Sequence, residues 1–486
     1  LISPVAIRPW VYRGQIAANL GQHEDAHRFL TIALAKDPFN EQALATLNRL
    51  PGSTRLEAEP ARLIPLNSDP RLTQQAYTDW IARYDVLGDE DRVKIRARVE
   101  SLTPTGKAEV LPLFSLIMPA RDPDPDYFRA AVRSVVDQLY PHWELCVADD
   151  GSRTEVVASI VAEFAALGHP VRLVRSQNSS GIAAASNAAL ALATGEFIAL
   201  IDHDDVLAEH ALYMFAESIT RNDQVDLLYS DEDKLDERGR RFSPHFKPSF
   251  NKDLLRSQNY IGHLLAVRRA IVKQIGGFTL DVDGAQDHDL ILRVLEAVGP
   301  ARIRHIPFIL YHWRSSPTSV AQAVDAKSYT TRVGVHVVAD HLKRLGEAAT
   351  VSEGMASNTY GILYATPDPP PLVSIIVPTR DQVALLSKCI DGLTQRTRYE
   401  AWELLIVDNG SRAPETQAYL EKVGRDPRIK VLRDDGAFNY ARLNNRAVAE
   451  TSGPLLLFLN DDVEPINEGL STICSATRWP VDPWTQ

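Results

Sequence analysis

The feature that most constrains the fold is an internal duplication. Ser115-Leu-Ile-Met-Pro-Ala-Arg-Asp122 recurs 259 positions downstream as Ser374-Ile-Ile-Val-Pro-Thr-Arg-Asp381. At the same offset Trp143-Glu-Leu145 returns as Trp402-Glu-Leu404, and Asp149-Asp-Gly-Ser-Arg153 as Asp408-Asn-Gly-Ser-Arg412. The apolar run before Asp202-His-Asp204 reappears before Asn460-Asp-Asp462 with one residue of slip. Matches in one order at one spacing read as two copies of one domain.

Within the first copy, short apolar stretches alternate with helical ones. Strands are expected at Phe114 to Met118, Glu144 to Ala148, Val171 to Val174 and Phe197 to Ile201, with helices around 126–138, 153–167 and 182–193. That alternation predicts an α/β fold with a mainly parallel sheet and helices on both faces. Sheets of this kind bind ligands beyond the carboxyl ends of their strands. Asp149 and Asp150 follow one strand directly, and Asp202 and Asp204 follow another.

The rest of the chain is read around these copies. Residues 1–50 match a tetratricopeptide-like helical segment through Trp10, Gly14, Ala17, Gly21, Ala26, Leu30, Ala33 and Pro38. Such a unit needs neighbours to bury its face, so the start at Leu1 reads as a cut, and the segment as a docking surface for a protein partner. Residues 51–111 form a proline-rich linker and a helical lead-in at about 73–102, with Tyr77, Trp80, Ile81 and Tyr84 on one face. The first α/β domain takes residues 112–320. Residues 321–371 hold an amphipathic helix (Val335, Val338, Ala339, Leu342, Leu345) that Gly346 caps, then Pro367 and Pro369 to Pro371. The second copy, 372–486, is incomplete, because the chain ends at Gln486 before any counterpart of Asp287 or His312. Ser471 to Gln486 does not continue the expected helix, and this copy is expected to be inactive.

Composition narrows the partners. A net charge of −11 argues against nucleic acid as the main ligand, though a metal ion can neutralise a small phosphate ligand locally. Cys146, Cys389 and Cys474 stand far apart, with no metal-binding pair, which fits a reducing cytoplasm. No apolar run approaches the roughly 18 residues of a membrane-spanning helix.

The chemistry rests on four places. Asp202 and Asp204, two residues apart at a strand end, can jointly hold a hard cation, Mg²⁺ or Mn²⁺; taken alone, an acidic loop or helix cap explains the triplet as well. Asp205 reads as the cap of a helix starting near Ala208. Asp149-Asp150-Gly151-Ser152 offers either a carboxylate for a nucleotide base or ribose, or an Asx turn with Gly151 at positive φ. Asp287 opens a helix, as a general base facing a cleft or as a plain N-cap. His312, in Tyr311-His-Trp-Arg314, is either structural or a metal ligand.

Taken together, Asp149-Asp-Gly-Ser, Asp202-His-Asp, Asp287 in Gln-Asp-x-Asp-Leu, and His312 resemble the family-2 glycosyltransferases of GT-A fold, which invert the anomeric centre. Leu200-Ile-Asp-His-Asp-Asp205, Tyr229-Ser-Asp-Glu-Asp-Lys234 and Tyr311-His-Trp-Arg314 are similar to the bacterial branch that builds surface polysaccharides. The resemblance covers 114–320 and 372–466. It implies a nucleotide-sugar donor, a glycan or lipid-linked glycan acceptor, and Mn²⁺ or Mg²⁺. Asp150 with Asp149 would contact a uracil-type base, and Pro119, Ala120 and Arg121 would line the nucleotide pocket, joined by Asn187 and His203. Asp202 would meet the ribose or the metal's water shell, Asp204 would bind the metal, and His312 would be a further ligand. Asp287 would take the acceptor's proton. Gln286 stands where an acid is usual and Ser186 where Arg is usual. The implied place is the cytoplasm, touching the inner membrane only through a lipid-linked acceptor. A sugar nucleotidyltransferase would need a Gly-rich basic loop, which Pro119-Ala-Arg-Asp-Pro-Asp-Pro lacks. A scaffold with degenerate domains is opposed by the intact Asp202, Asp204, Asp287 and His312.

Overall fold

The computed structural model describes residues 70–102, 111–315 and 324–464, with isolated positions before residue 51. The tetratricopeptide-like segment, apart from those positions, the proline-rich linker up to residue 69, and the 471–486 stretch lie outside the described residues. The chain divides into two compact units, residues 1–341 with 353–360, and 342–352 with 361–486.

In the first unit the lead-in is two helices rather than the single one expected, α1 (Pro70–Tyr84) and α2 (Asp89–Ser101). Gly88 interrupts them, and Asp89, Glu90 and Asp91 crowd the first turn of α2, where the helix dipole favours negative charge. The break leaves Asp85 free to pair with Arg241. Arg92 to Glu209 at 2.8 Å and Arg98 to Glu217 at 3.2 Å staple α2 to the α/β domain.

The domain then runs β1 (Phe114–Ala120), α3 (Pro125–Val136), β2 (Trp143–Asp150), α4 (Val156–Ala166), β3 (Val171–Ser176), α5 (Ile182–Leu192), β4 (Phe197–Leu200), β5 (Val206–Leu207), α6 (Ala211–Arg221), β6 (Leu227–Leu235), β7 (Arg241–His245), α7 (Lys252–Ser257), β8 (Leu265–Arg268), α8 (Arg269–Gln274), α9 (Gln286–Val298) and β9 (Ile303–Arg314). Strand order is β3-β2-β1-β4-β8-β6-β9-β5, with β7 paired to β6. The first four strands are parallel, as alternation with helices requires, and β1 and β2 are buried along nearly their whole length. Phe128, Val132, Phe164 and Phe215 from α3, α4 and α6 fill the core on the side of Leu116 and Met118. The alanine-rich α5 packs on β1 and β2. Beyond β4 the sheet is mixed. β8 is antiparallel to β4 and β6, and β7 follows β6 by a short turn that permits only antiparallel pairing.

The second unit contains β10 (Val373–Thr379), α11 (Val383–Gln395), β11 (Trp402–Asp408), α12 (Pro414–Val423), β12 (Ile429–Arg433), α13 (Tyr440–Val448) and β13 (Leu455–Phe458), preceded by the inter-copy helix α10 (Val324–Arg344) that begins in the first unit. Its sheet is ordered β12-β11-β10-β13. Val373 faces Trp402 and Leu455 here, as Phe114 faces Trp143 and Phe197 in the first unit.

One shared device explains why a glycine precedes each fourth strand. Gly195 N–H donates to Ser115 Oγ at 2.8 Å, and that hydroxyl donates to Glu144 at 2.6 Å. A Cβ on Gly195 would lie 2.5 Å from Leu113 O. Gly453, Ser374 and Glu403 repeat the arrangement, with 2.5 Å from the added Cβ to Leu372 O.

Candidate active site

The loop after β4 carries Asp202, His203, Asp204 and Asp205, and β9 holds it in place. Tyr311 Oη donates to Asp205 Oδ2 at 2.6 Å and accepts from Asp202 N–H at 3.1 Å. Arg314 donates its backbone N–H to Asp205 Oδ1 at 2.7 Å and its Nε–H to Asp204 O at 2.8 Å. Asp205 is therefore no helix cap; α6 starts only at Ala211, and Asp205 is the buried post of the loop. Burial, then the charges of Asp202 and Asp204, push its acid well above the carboxylate range. Burial and the Asp202 charge also raise Asp204, against His203 and Arg314. The loop concentrates negative charge that a divalent cation would relieve.

Among the described residues no three His, Cys, Asp or Glu side chains form a ready metal cage. The chemistry still fits. Mg²⁺ is ordinarily held by one or two carboxylates plus substrate phosphates and waters, and half-buried Asp202 and Asp204 supply those carboxylates.

Asp287 is the second residue of α9, not its N-cap, a position taken by Ala285. Its Oδ2 accepts from Asn259 Nδ2 at 2.9 Å, and its Oδ1 from the His288 N–H at 2.8 Å. Four residues after Asn259, the His263 imidazole stacks on Tyr311 with centroids 4.8 Å apart and planes at 18°. Its Nε2 stands 3.7 Å from Asp202 Oδ2. Four peptide steps reach at most about 14 Å. Segment 259–263 thus ties the helix bearing Asp287 to the acidic loop.

A buried ion pair anchors that segment. All three Lys247 Nζ protons are placed, on Glu232 Oε2 at 3.0 Å and on the Ile261 and His263 carbonyls at 2.5 Å each. Glu232 also accepts the His263 N–H at 3.1 Å. Burial alone would raise the Glu232 acid, but Lys247, His245 and His263 hold it down at about 2. It stays ionised.

Several expected residues serve other purposes. Side chains alternate along a strand, so Tyr311 and His312 leave β9 on opposite faces, Tyr311 toward Asp205 and His312 toward Asp233. His312 Nδ1 lies 2.5 Å from Asp233 Oδ1, and Asp233 Oδ2 accepts from Tyr77 Oη and Arg241 Nε at 2.5 Å each. His312, expected as a metal ligand, lies in a buried network tying α1 to β6 and β7. Asn187, expected on the nucleotide side, is held by the chain itself. Its amide donates to Phe278 O at 2.8 Å and accepts from Phe278 N–H at 2.9 Å, clasping the turn before α9. Asp150 accepts from Ser179 Oγ at 2.6 Å and from the N–H groups of Ser180 at 2.7 Å and Gly181 at 3.2 Å, shaping the loop into α5. Asp149 takes the Ser152 N–H at 2.9 Å and pairs with Arg175 at 3.0 Å. Both are buried at the strand end. Pro119 and Ala120 end β1 beside Asp149, and Arg121 follows, exposed. His203 is half-buried beside Asp204.

Glu232, Lys247, Asn259, His263 and Tyr311 were not assigned roles from sequence. The alternating acids of Tyr229-Ser-Asp-Glu-Asp-Lys234 were a signal for Glu232; nothing local marks Asn259 or Lys247.

The chain matches the family described as Glycosyl transferase family 2 over residues 115–276 and 374–475, more than half its length. It is 40% identical over 357 residues to "Uncharacterized protein y4gI" of Sinorhizobium fredii, covering 73% of this chain and 39% of that protein. It is 35% identical over 429 residues to the O-antigen biosynthesis protein RfbC of Myxococcus xanthus, covering 88% of this chain and 32% of that one. The chain thus spans two fifths or less of these relatives. The S. aureus TarS fragment 1–349 in complex with UDP-GlcNAc aligns at 20% identity over 47% of this chain and 66% of its own, with a TM-score of 0.40, too low to bear weight.

Proposed function

Because the chain belongs to glycosyl transferase family 2, we propose that residues 112–320 transfer a sugar from a nucleotide-diphosphate donor to an acceptor hydroxyl, inverting the anomeric centre. The setting is bacterial surface polysaccharide assembly, which the name of the Myxococcus relative supports. The supporting observation is segment 259–263, with Asn259 on Asp287 and His263 beside Asp202.

Asp202 and Asp204 would hold Mn²⁺ or Mg²⁺, which when bound stabilises charge on the donor's phosphates. His203 and the ends of β1 and β2, with Pro119, Ala120 and Arg121, line the nucleotide side, and Asp149 and Asp150 set the loops there. Asp287 accepts the acceptor hydroxyl's proton as that oxygen bonds to the anomeric carbon. The bond to the diphosphate oxygen breaks on the opposite face, and its electron pair leaves with the nucleoside diphosphate. Asn259 and the His288 N–H fix the carboxylate while it does so. Base assistance is worth typically about 10²- to 10⁴-fold.

Residues 374–475 form a second domain of the same lineage, and the tetratricopeptide-like segment recruits a protein partner. Among the described residues no helix is long and apolar enough to cross a membrane; the proposed site of action is the cytoplasm, reaching the inner membrane only through a lipid-linked acceptor. Nucleoside diphosphate release from a panel of nucleotide sugars with Mn²⁺ tests the reading. Asp204→Ala and Asp287→Asn should abolish release while the far-ultraviolet circular dichroism stays unchanged. Wild-type turnover in either variant would overturn the roles.

A further inference from the structure

The mixed half of the sheet presents a surface that the proposed donor chemistry does not use. In β6, Asp231, Asp233 and Leu235 are buried while Glu232 and Lys234 reach the opposite face. Glu232 faces Tyr311 across the ladder, and Lys234 faces Trp313. On that face Tyr311 lies covered beneath His263, but Trp313, two residues further, is 38% exposed. The step from Tyr311 to Trp313 is about 6.6 Å. The next residue, Arg314, bonds Asp204 O, so this indole stands at the edge of the acidic loop. The Lys234 ammonium lies 5.9 Å from the Trp313 ring centroid.

Two physical points make the pair unusual. A half-exposed indole leaves a large apolar surface facing water. Second, Lys234 is a cation that none of the described ion pairs occupies, whereas Glu232 on the same face is already neutralised by Lys247. An indole face offers a flat apolar platform to the C–H face of a pyranose ring, and the adjacent ammonium adds a grip for negative charge on the same ring. The nucleotide side, at β1 and β2, lies across β4 and β8 from β6 and β9 in strand order.

We propose that Trp313 and Lys234 form the acceptor subsite, and that its ligand is a sugar ring carrying a negative charge. This rests on the glycosyltransferase reading above. Trp313 stacks the ring, Lys234 pairs with its carboxylate or phosphate, and together they would present a ring hydroxyl to Asp287. The charge has two sources, a uronic acid or a phosphorylated sugar.

The test is ligand-observed NMR on the whole chain with UDP and Mn²⁺, using methyl β-glucuronide, glucose 1-phosphate and neutral methyl β-glucoside as probes. At least one charged probe should bind about threefold to fivefold tighter than the neutral one; the stronger of the two identifies the source of the charge. Trp313→Ala should weaken it about tenfold, Trp313→Phe should retain most of the affinity, and Lys234→Ala should remove the preference for charge. UDP affinity should be the same in all variants. Unchanged charged-probe binding in Trp313→Ala, equal binding of neutral and charged probes by wild type, or weakened UDP binding in the variants would overturn the proposal. If wild type binds UDP but no sugar probe, the acceptor subsite alone fails. If it binds no UDP with Mn²⁺, the glycosyltransferase reading fails first.

Discussion

Replacing Lys247 with Met removes one ammonium and disturbs three partners at once. Glu232, 14% exposed, loses its countercharge, and the Ile261 and His263 carbonyls lose their donor. The Glu232 carboxyl, held at about 2 instead of its ordinary 4.5, favours the folded state at neutral pH, and burial of the Lys247 ammonium, which lowers its own value, opposes part of that gain. Breaking a buried pair from one side costs about 3–5 kcal/mol, because the remaining charge stays buried. The sign with pH follows from which state holds the proton. In the wild type the folded value lies below the unfolded one, so this stabilisation is complete above pH 4.5 and drains as pH falls toward 2. In Lys247→Met burial is less opposed, so the folded value rises and the stabilisation at neutral pH shrinks. Urea unfolding of both proteins at pH 7 and pH 4 should show a gap that is largest at pH 7 and narrower at pH 4. The melting temperature at pH 7 should fall by at least about 6 °C. Adding Glu232→Gln to Lys247→Met should recover part of the loss, since no charge is then left unpaired. A variant melting within about 2 °C of wild type, or a gap that widens in acid, would refute the buried ion pair.

Three further outcomes follow from named contacts. Gly195→Ala and Gly453→Ala each drive a Cβ to 2.5 Å from a backbone carbonyl and should each cost about 1–3 kcal/mol in their own unit, read by chemical denaturation; a neutral result at both would sink the shared device. His312→Gln should lower the melting temperature through the Asp233 network, yet leave Mn²⁺ affinity by electron paramagnetic resonance unchanged, whereas a lost Mn²⁺ signal would restore it as a ligand. Asp150→Asn turns an amide toward two backbone N–H groups and should cost about 1–3 kcal/mol and speed proteolysis of the 179–181 loop; an unaltered digest would show that the loop does not depend on the charge.

What was legible from sequence tracks how local each cause is. The apolar runs and their helices come from periodicity, and β1 to β4 with α3 to α5 stand within two or three residues of expectation. The acidic loop was legible as well, because a run of carboxylates after a buried strand leaves few other readings. What failed was side-chain direction. Tyr311 and His312 are neighbours on one strand, and only pairing with β6 decides which of them turns to the loop; the sequence motif marks both alike. Asn259 and Lys247 were invisible for a related reason. Their roles arise from contacts to residues 28 and 14–16 positions away in chain order, across a bend that no periodicity encodes. The periodicity of Tyr77, Trp80, Ile81 and Tyr84 predicts a single helix because it holds up to the break, and the need for Asp85 to reach Arg241 is a tertiary demand.

The duplication also sorts residues without any outside comparison, since it places one local sequence in two settings. Asp122 and Asp381 both take positive φ, 44° and 51°, and both donate their N–H to a serine Oγ, Ser152 at 2.9 Å and Ser411 at 3.0 Å. Asp149 and Asp408 likewise bond the serine N–H at 2.9 Å and pair with an arginine from the next strand. Interactions kept whole in both settings belong to the scaffold, whatever motif they sit in. The following position differs in kind. Asp150 accepts three hydrogen bonds from the 179–181 loop, whereas Asn409 donates to the carbonyls of Asp434 and Gly436 at 3.0 and 2.9 Å. One loop turns its N–H groups toward the strand end and the other turns its carbonyls. N–H groups that converge on a fixed carboxylate are already committed to it, so the first unit's loop is set by charge and the second unit's by an uncharged amide. The carboxylate of the first unit is thus spent on shaping the 179–181 loop.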